Sequence, residues 1–349
     1  MYALEPHLPT IWLFIIAFFL LYYAIADGSD LGIGILSLFA KDEEERTLMM
    51  ASMESIWHDN ETWLVLLGGM LFGAFPLFYG LVLSSLYIPI LAMVFGLVFR
   101  GVAIEFRGMS TNKRFWSFAF GMGSLITAIF QGFALGALVG GLHIENGQFA
   151  GTVWSWFSPF SLLVSAGVVC GYSMLGANYL ILKTEGPLQD KSYFHSLLAS
   201  CLTLMVSVAV HGWSTLKQPH LLKKWSQIPE SLYMGLFLLL AAFSFIMYFY
   251  SLHKRAEREP LLWNMGIIVS SFTALSIGLY PQMIPPLMDS APVTVHAAAA
   301  SPKTLMFMLV VTSIMLPIIL TYTSYKYRVF KGKVTAGTHG GYADERYGQ

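Results

Sequence analysis

Residues 63–99 read WLVLLGGMLFGAFPLFYGLVLSSLYIPILAMVFGLVF, and this stretch decides the class of the protein. It contains no charged side chain from Trp63 to Phe99. About 20 apolar residues in a helix cross a bilayer core of about 30 Å, so the stretch is too long for one membrane-spanning helix. Proline disfavours continuation of a helix, which places the break at Phe75-Pro76. The stretch therefore predicts two spans joined as a tight helical hairpin.

The composition of the whole chain is that of a membrane protein. Of its 349 residues, 56% are hydrophobic and 11% are charged, whereas soluble domains have about 25% charged residues. A compact soluble body could not bury so many apolar side chains. Basic and acidic residues balance at 20 each, so no net charge favours nucleic acid as a partner.

Charge-poor runs of spanning length recur along the chain and predict an all-α integral membrane protein with about nine transmembrane helices. The predicted spans lie near residues 10–39, 56–74, 77–104, 115–142, 156–183, 193–214, 231–252, 262–281 and 303–327. They make a single polytopic domain over residues 1–330, and the Gly-rich polar segment 331–349 is predicted to be a flexible tail. The first run is too long for a signal peptide and lacks a cleavage site, so it is expected to remain as a span.

The distribution of Lys and Arg predicts the orientation of the chain. Sixteen of the 20 basic residues fall in the loops after the first, third, fifth and seventh spans and in the tail. The opposite set of loops has only Lys217, Lys223, Lys224 and Lys303. The positive-inside rule then places the N-terminus outside and the C-terminus in the cytoplasm.

Residues 27–34, DGSDLGIG, place two carboxylates near the cytoplasmic end of the first predicted span. Asp27 and Asp30 share a helix face, and Gly28 and Gly32 form a small-residue surface that admits a close neighbouring helix. Ionisable groups in hydrocarbon are costly and are therefore candidates for function. The alternative is a packing surface of glycines with a carboxylate solvated at the end of the span.

Residues 54–63, ESIWHDNETW, bring acids, an imidazole and an amide to the start of the second span. Carboxylates and imidazole exchange protons through water, and an amide can hold their geometry. The side chains predicted to form a cytoplasm-facing proton path are Asp27, Asp30, His58, Asp59 and Glu61. The alternative is a hydrated helix start in which Trp57 and Trp63 are interfacial anchors.

Residues 100–107, RGVAIEFR, end the third span on the cytoplasmic side. Arg100 and Arg107 are seven residues apart and share a helix face, so either could neutralise the acids of the first two clusters. The competing interpretation is that these side chains extend to the lipid headgroups, and for Arg107 it is the favoured one.

Taken in order, these motifs resemble subunit II of the cytochrome bd-type quinol oxidases. The resemblance rests on DGSDLG at 27–32, WHDNETWL at 57–64, RGVAIEFR at 100–107, GANYL at 176–180 and KTEG at 183–186. Each motif is short, but their order over the first five spans is specific. The motif residues outside the predicted proton path are Gly28, Gly32, Trp57, Asn60, Trp63, Arg100, Glu105 and Arg107.

The resemblance implies two four-helix bundles and one peripheral helix, in an obligate heterodimer in the cytoplasmic membrane of a bacterium or archaeon. A larger subunit I would hold the quinol site, two haems b, and a haem d or a third haem b. This chain would ligate no haem, which agrees with the lack of a paired axial candidate for His195 or His211. Small single-span accessory subunits, membrane lipids, and a lipid or quinone bound by this chain are further expected partners.

One position departs from the family pattern. Family members commonly place an acid directly after the tryptophan of the second motif, where this chain has His58 followed by Asp59; either residue could serve. The predicted function is a non-haem-ligating subunit of an oxidase that oxidises quinol and reduces dioxygen to water, contributing scaffold and part of a cytoplasmic proton path. The alternatives are a secondary transporter that uses intramembrane carboxylates and a purely structural scaffold.

Overall fold

The structure, a computed structural model, describes residues 4–217, 219–287 and 291–334. Its helices, in chain order, are α1 Leu8–Ser37, α2 Glu43–Ala51, α3 Trp57–Ala74, α4 Pro76–Ser85, α5 Tyr87–Arg107, α6 Lys113–Gly140, α7 Pro159–Lys183, α8 Gly186–Lys217, α9 Pro219–Trp225, α10 Glu230–His253, α11 Glu259–Leu279, α12 Val295–Ala298 and α13 Pro302–Val329. Two small antiparallel sheets pair β1 Ile144–Glu145 with β2 Gln148–Phe149, and β3 Gln282–Ile284 with β4 Val293–Thr294.

Eight of the described helices are long and apolar enough to cross a membrane, and the count is nine if the bent pair α3 and α4 makes one span. The eight are α1, α5, α6, α7, α8, α10, α11 and α13. The all-α membrane fold and the number of spans are therefore confirmed. The sixth predicted span, 193–214, is part of the longer helix α8, which begins at Gly186.

The charge-free stretch is broken at two points. Helices α3 and α4 meet at 119°, because Phe75 leaves the helical conformation before Pro76, the first residue of α4. A second break lies at Leu86, because in a continuous helix Pro89 would have no N–H to donate and its ring would clash with the carbonyl of Ser85. The predicted start of the third span at residue 77 is therefore wrong. A separate ten-residue helix, α4, precedes the spanning helix α5.

The long helices form two groups of four. Helices α1, α3, α5 and α6 make the first group, α7, α8, α10 and α11 make the second, and α7 joins the groups by lying along α1 and α6. Helix α13 lies outside both and packs against α3 and α1. The expected arrangement of two bundles and a peripheral helix is confirmed.

Glycines set the contact between the two groups. A Cβ atom added to Gly32 would lie 1.8 Å from the carbonyl oxygen of Tyr172, and one added to Gly176 would lie 2.4 Å from the carbonyl carbon of Gly32. The backbones of α1 and α7 therefore touch, as in other small-residue crossings of membrane helices. The small-residue face expected of Gly28 and Gly32 is the surface on which α7 lies.

Residues 331–334, which the sequence assigned to a flexible tail, are held against the end of α7. The backbone N–H of Val334 donates to the Lys183 carbonyl at 2.8 Å, and the Lys183 ammonium donates to the carbonyls of Phe330 and Gly332. These bonds satisfy carbonyl groups near the ends of α7 and α13. The rest of the predicted tail, 335–349, lies outside the described residues.

Candidate functional site

The candidate site is built around Arg100, whose side chain on α5 is fully buried. Its Nη2 lies 2.6 Å from Asp27 Oδ1 on α1 and 2.5 Å from Glu61 Oε1 on α3. The Asp27 side chain is fully buried, and that of Glu61 is 27% exposed. A guanidinium stays charged in a protein and needs such partners when water is excluded. One cation thus ties three helices together.

Arg100 reaches this position because α5 lies close to α6. A Cβ atom on Gly123 would lie 2.9 Å from the backbone nitrogen of Arg100, and one on Gly96 would lie 2.4 Å from Thr127 Oγ1. Small residues on both helices therefore let the backbone of α5 sit deep enough for its guanidinium to meet α1 and α3.

A second hydrogen-bonded group lies beside this ion pair. Asn60 Nδ2 donates to Asp30 Oδ2 at 2.8 Å, and the Tyr327 hydroxyl of α13 donates to Asn60 Oδ1 at 3.0 Å. Asp30 and Asn60 are fully buried. The sequence analysis missed Tyr327, because nothing in its local sequence connects it to a residue 267 positions earlier.

We call these six residues the Arg100 cluster: Asp27, Asp30, Asn60, Glu61, Arg100 and Tyr327. Its carboxyl groups outnumber its guanidinium by three to one. Asp27 Oδ2, Asp30 Oδ1 and two nitrogens of Arg100 have no hydrogen-bond partner among the described residues. The described residues contain no group of three His, Cys, Asp or Glu that could hold a metal ion.

His58 and Asp59 lie apart from the Arg100 ion pair. The His58 side chain is 66% exposed, and its Nε2 is 3.8 Å from Oε1 of Glu105, which is also exposed. Asp59 Oδ2 lies 2.6 Å from Nζ of Lys326 on α13. Of the residues in the second motif, Asn60 and Glu61 thus lie inside the protein, whereas His58 lies at its rim.

The two tryptophans of the second motif are buried, so the interpretation of them as interfacial anchors is wrong. Trp57 and Trp63 are 5% and 1% exposed. Trp63 stacks on Tyr22 of α1 with ring centroids 3.9 Å apart, and a Cβ atom on Gly101 of α5 would touch the Trp57 ring. These rings pack α3 against its neighbours.

Arg107 is only 7% exposed. Its contacts contradict both interpretations made from the sequence, namely that it neutralises the acids of the first two clusters or that it extends to the lipid headgroups. Its Nε donates to Ser117 Oγ at 2.8 Å and its Nη2 to Thr47 Oγ1 at 2.8 Å. Its Nη2 also donates to Glu43 Oε2 at 3.2 Å. Glu43 and Thr47 lie on α2, which folds over the ends of α5 and α6, and Ser117 lies on α6. Arg107 therefore fastens α2 and does not reach the acids of the Arg100 cluster or the headgroups.

Glu43, on α2 outside the membrane spans, is held as a carboxylate. Partial burial acts to raise the pKa of Glu43, but hydrogen bonds from Ser117, Arg107 and Arg46 outweigh it and leave the pKa below its ordinary value. Helix α2 itself begins at an N-cap, where the Asp42 carboxylate accepts from the Glu45 N–H at 2.9 Å.

Three polar side chains, from α1, α6 and α7, are hydrogen-bonded to one another within one helical turn of Asp27. Tyr23 lies one turn before Asp27 on α1. Gln131 Nε2 on α6 donates to the Tyr23 hydroxyl at 2.5 Å, and the Tyr172 hydroxyl on α7 donates to Gln131 Oε1 at 2.7 Å. The sequence analysis missed these residues, since each stands alone in an apolar helix.

Fold and site together define a polytopic helical membrane protein with a buried, ion-paired acidic cluster near one end of its first bundle. The family model described as cytochrome bd terminal oxidase subunit II matches residues 8–330, so the chain belongs to that family.

Curated relatives match nearly the whole chain. Subunit 2 of the cytochrome bd-I ubiquinol oxidase of Escherichia coli K12 is 25% identical over 93% of this chain and 94% of its own length. Subunit 2 of the cytochrome bd ubiquinol oxidase of Bacillus subtilis 168 is 26% identical over 94% and 97%. A chain of the bd oxidase from Geobacillus thermodenitrificans superposes with a TM-score of 0.78 at 18% identity, covering 93% of this chain and 98% of that one. The fold is therefore shared with a solved bd oxidase.

Proposed function

We propose that this chain is the second subunit of a membrane complex that oxidises quinol and reduces dioxygen to water. The family match over residues 8–330 is the observation that carries the proposal. The relatives in E. coli and B. subtilis are subunits of ubiquinol oxidases, which supports the same substrate class here. Membership of this family disfavours the secondary transporter.

The haems of the complex belong, in this proposal, to a larger partner subunit that also holds the quinol site. They are two haems b with a haem d or a third haem b, and when bound they carry electrons from quinol to dioxygen. Haem iron needs an axial side chain such as histidine, and none of the histidines whose side chains the structure describes is buried. His58 and His211 are exposed and His195 is half-buried, which supports the assignment of the haems to the partner.

The role proposed for the Arg100 cluster is proton uptake. His58 and Glu105 are exposed at the rim of the bundle, Glu61 is partly exposed behind them, and Arg100 joins Glu61 to the buried Asp27. Imidazole and carboxyl groups in this order can accept and release protons. The positive-inside rule assigns this rim to the cytoplasm, and reduction of dioxygen to water consumes protons from that side.

The charge balance of the cluster favours a proton-carrying role over a purely structural one. A structural ion pair needs one carboxylate for its guanidinium, whereas Asp27 and Glu61 share Arg100 and a third buried carboxyl group, that of Asp30, is bonded only to the amide of Asn60. An uncompensated buried charge costs several kcal/mol. Carboxyl groups placed in this way lower that cost by holding protons for part of the time. Asp59, paired with Lys326, is a flanking carboxylate.

The scaffold role is supported by the outward faces of the helices. Leu91, Phe95 and Phe99 are spaced four residues apart on α5 and are each more than half exposed, so they form an apolar stripe that suits a partner helix or lipid. A groove of about 530 Å³ runs along α13 beside Pro317 and Tyr322, where a lipid chain or quinone tail would fit. Close packing on such faces is the basis for an obligate heterodimer.

The proposal is tested by purifying the complex from native membranes through a tag on this chain. We expect a larger haem-bearing subunit at a one-to-one ratio, haem bands in the optical spectrum, and quinol-dependent oxygen consumption. A colourless, monodisperse monomer with full helical content would contradict both the oxidase assignment and the obligate heterodimer.

A further inference from the structure

We propose that Lys183, in the last turn of α7, is a positioning residue that acts on the Arg100 cluster through the peripheral helix α13. It binds residues 330–334, which we call the strap, to the second bundle and thereby holds Tyr327 of α13 against Asn60. Lys183 opens the KTEG motif at 183–186, which has no part in the proposed proton path.

Helix α13 depends on contacts at its ends, because little of it is buried by the rest of the chain. Three of its 28 residues are buried. A bilayer gives a helix little hydrophobic drive to pack on its neighbours, so close packing and polar contacts must hold it. Near the start of α13, the carbonyl of Leu305 accepts from the indole N–H of Trp12 at 3.0 Å. The far end needs a fastening of its own.

The polar contacts between α13 and α3 lie in the last turn of α13. The Tyr327 hydroxyl donates to Asn60 Oδ1 at 3.0 Å, and Lys326 Nζ lies 2.6 Å from Asp59 Oδ2. The backbone N–H of Phe330 donates to the Lys326 carbonyl at 2.9 Å and closes that turn. Terminal turns fray when nothing holds them. The position of Phe330 therefore controls whether Tyr327 stays on Asn60.

Lys183 fixes Phe330 and the strap that follows it. The Lys183 side chain is buried, and its ammonium donates to the carbonyls of Phe330 and Gly332, to the latter at 3.4 Å. The Val334 N–H donates back to the Lys183 carbonyl at 2.8 Å, and the Val334 side chain is 3% exposed. Hydrogen bonds from a charged donor are stronger than neutral ones. One buried lysine thus binds the strap at both of its ends.

A second contact at the surface closes the strap over the second bundle. Lys333 Nζ lies 2.6 Å from Glu257 Oε1, in the loop between α10 and α11, and 3.5 Å from Glu185 Oε1. Gln189 Nε2 on α8 donates to the same Glu257 oxygen at 3.0 Å. These groups are partly exposed, and exposed ion pairs contribute little. The seating of the strap therefore depends mainly on Lys183.

The first test measures access of solvent to the strap in the purified complex. Val334→Cys places a thiol at its buried end, in a chain whose Cys170 and Cys201 are replaced by alanine. We expect Lys183→Met to speed the reaction of this thiol with a water-soluble maleimide at least about tenfold, the effect of losing a hydrogen bond from a charged group. Lys331→Met, which changes an exposed lysine of the same strap, is the matched control and should leave the rate at its parental value.

The second test asks whether Lys183 acts through Tyr327. Tyr327→Phe alone should lower the ratio of folded to unfolded protein about fivefold, the effect of one neutral hydrogen bond. With Lys183→Met already present, Tyr327→Phe should lower it little further, because the hydroxyl has lost its seat. Tyr248→Phe is the control, since its hydroxyl bonds within the second bundle, to Ser196 at 2.5 Å and Asn178 at 3.2 Å. Its effect should be equal in both backgrounds.

Two results would overturn the inference. One is a parental labelling rate in assembled Lys183→Met, and the other is a full effect of Tyr327→Phe in that background. If Lys183→Met does not assemble, Lys333→Met takes its place and should speed labelling about twofold to fivefold; a parental rate there overturns the inference as well. Labelling and unfolding are measured without oxygen consumption, so failure of the proposed function would show separately, as a purified complex without haem bands.

Discussion

Replacing Arg100 with methionine removes the cation that Asp27 and Glu61 share, while an unbranched side chain still fills much of the space. Two ion pairs of 2.6 and 2.5 Å are lost, and breaking a buried ion pair by removing one partner costs about 3–5 kcal/mol. Glu61 is 27% exposed and regains part of its hydration. We therefore expect the lower end of that range, about 3 kcal/mol, or about a hundredfold lower ratio of folded to unfolded protein.

The assay is detergent-induced unfolding of the purified complex, followed by the circular dichroism of its helices. The triple variant Arg100→Met, Asp27→Asn and Glu61→Gln should recover most of the lost stability, because it leaves no uncompensated buried charge. The reasoning is refuted if the single variant unfolds at the parental detergent concentration, or if the triple variant is no more stable than the single one.

Three further predictions concern packing and charge elsewhere. Gly32→Ala should abolish assembly of the complex, because the new Cβ atom would lie 1.8 Å from a backbone oxygen of α7. Gly69→Ala, which has open space around it, should assemble normally. Equal yields of assembled complex from the two variants would contradict this prediction. Tyr327→Phe should lower the free energy of unfolding by about 1 kcal/mol through the lost hydrogen bond to Asn60. Asn60→Ala should lower it further, because this change also leaves Asp30 unpartnered. Detergent-induced unfolding measures the stability of the two variants, and a more stable Asn60→Ala would contradict the prediction. The pKa of Glu43 lies below its ordinary value of 4.5, so its contribution to stability is present above about pH 4.5 and is lost as the pH falls toward the folded-state pKa; the melting temperature measured against pH should show this loss in the parent and not in Glu43→Gln.

Local spacing was enough to bring the central ion pair into one region. Asp27, Glu61 and Arg100 each stand in a short polar cluster at the same end of a predicted span, and the alternation of spans places those ends together. Which arginine meets the acids depends on how deeply α5 packs against α6. That depth is set by Gly96 and Gly123, which the sequence analysis had no reason to select.

Contacts between distant segments could not be predicted in the same way. Tyr327 meets Asn60 only because the peripheral helix α13 packs on α3. Arg107 turns away from the headgroups because α2 folds over the ends of α5 and α6 and offers it Glu43 and Thr47. Such contacts follow from tertiary packing, and neither composition nor helical periodicity encodes them.

The second break in the charge-free stretch has a local cause in the sequence. Pro89 forbids a regular helix through Ser85, just as Pro76 does at the first break. The sequence analysis placed a break at Pro76 and none at Pro89, so its third span began at residue 77.

The central claim, that the Arg100 cluster carries protons to the oxygen-reducing centre of the complex, is tested most directly by proteoliposomes that contain the complex with Asp27→Asn. With haems that quinol reduces normally, we predict that oxygen consumption and the build-up of membrane potential both fall by about a hundredfold, the scale of losing a proton-transferring group. The double variant His58→Ala with Asp59→Asn, which alters the rim and a flanking pair, should fall less. Parental oxygen consumption and membrane potential in both variants would contradict the claim and leave the cluster as a device that fastens α1, α3 and α5.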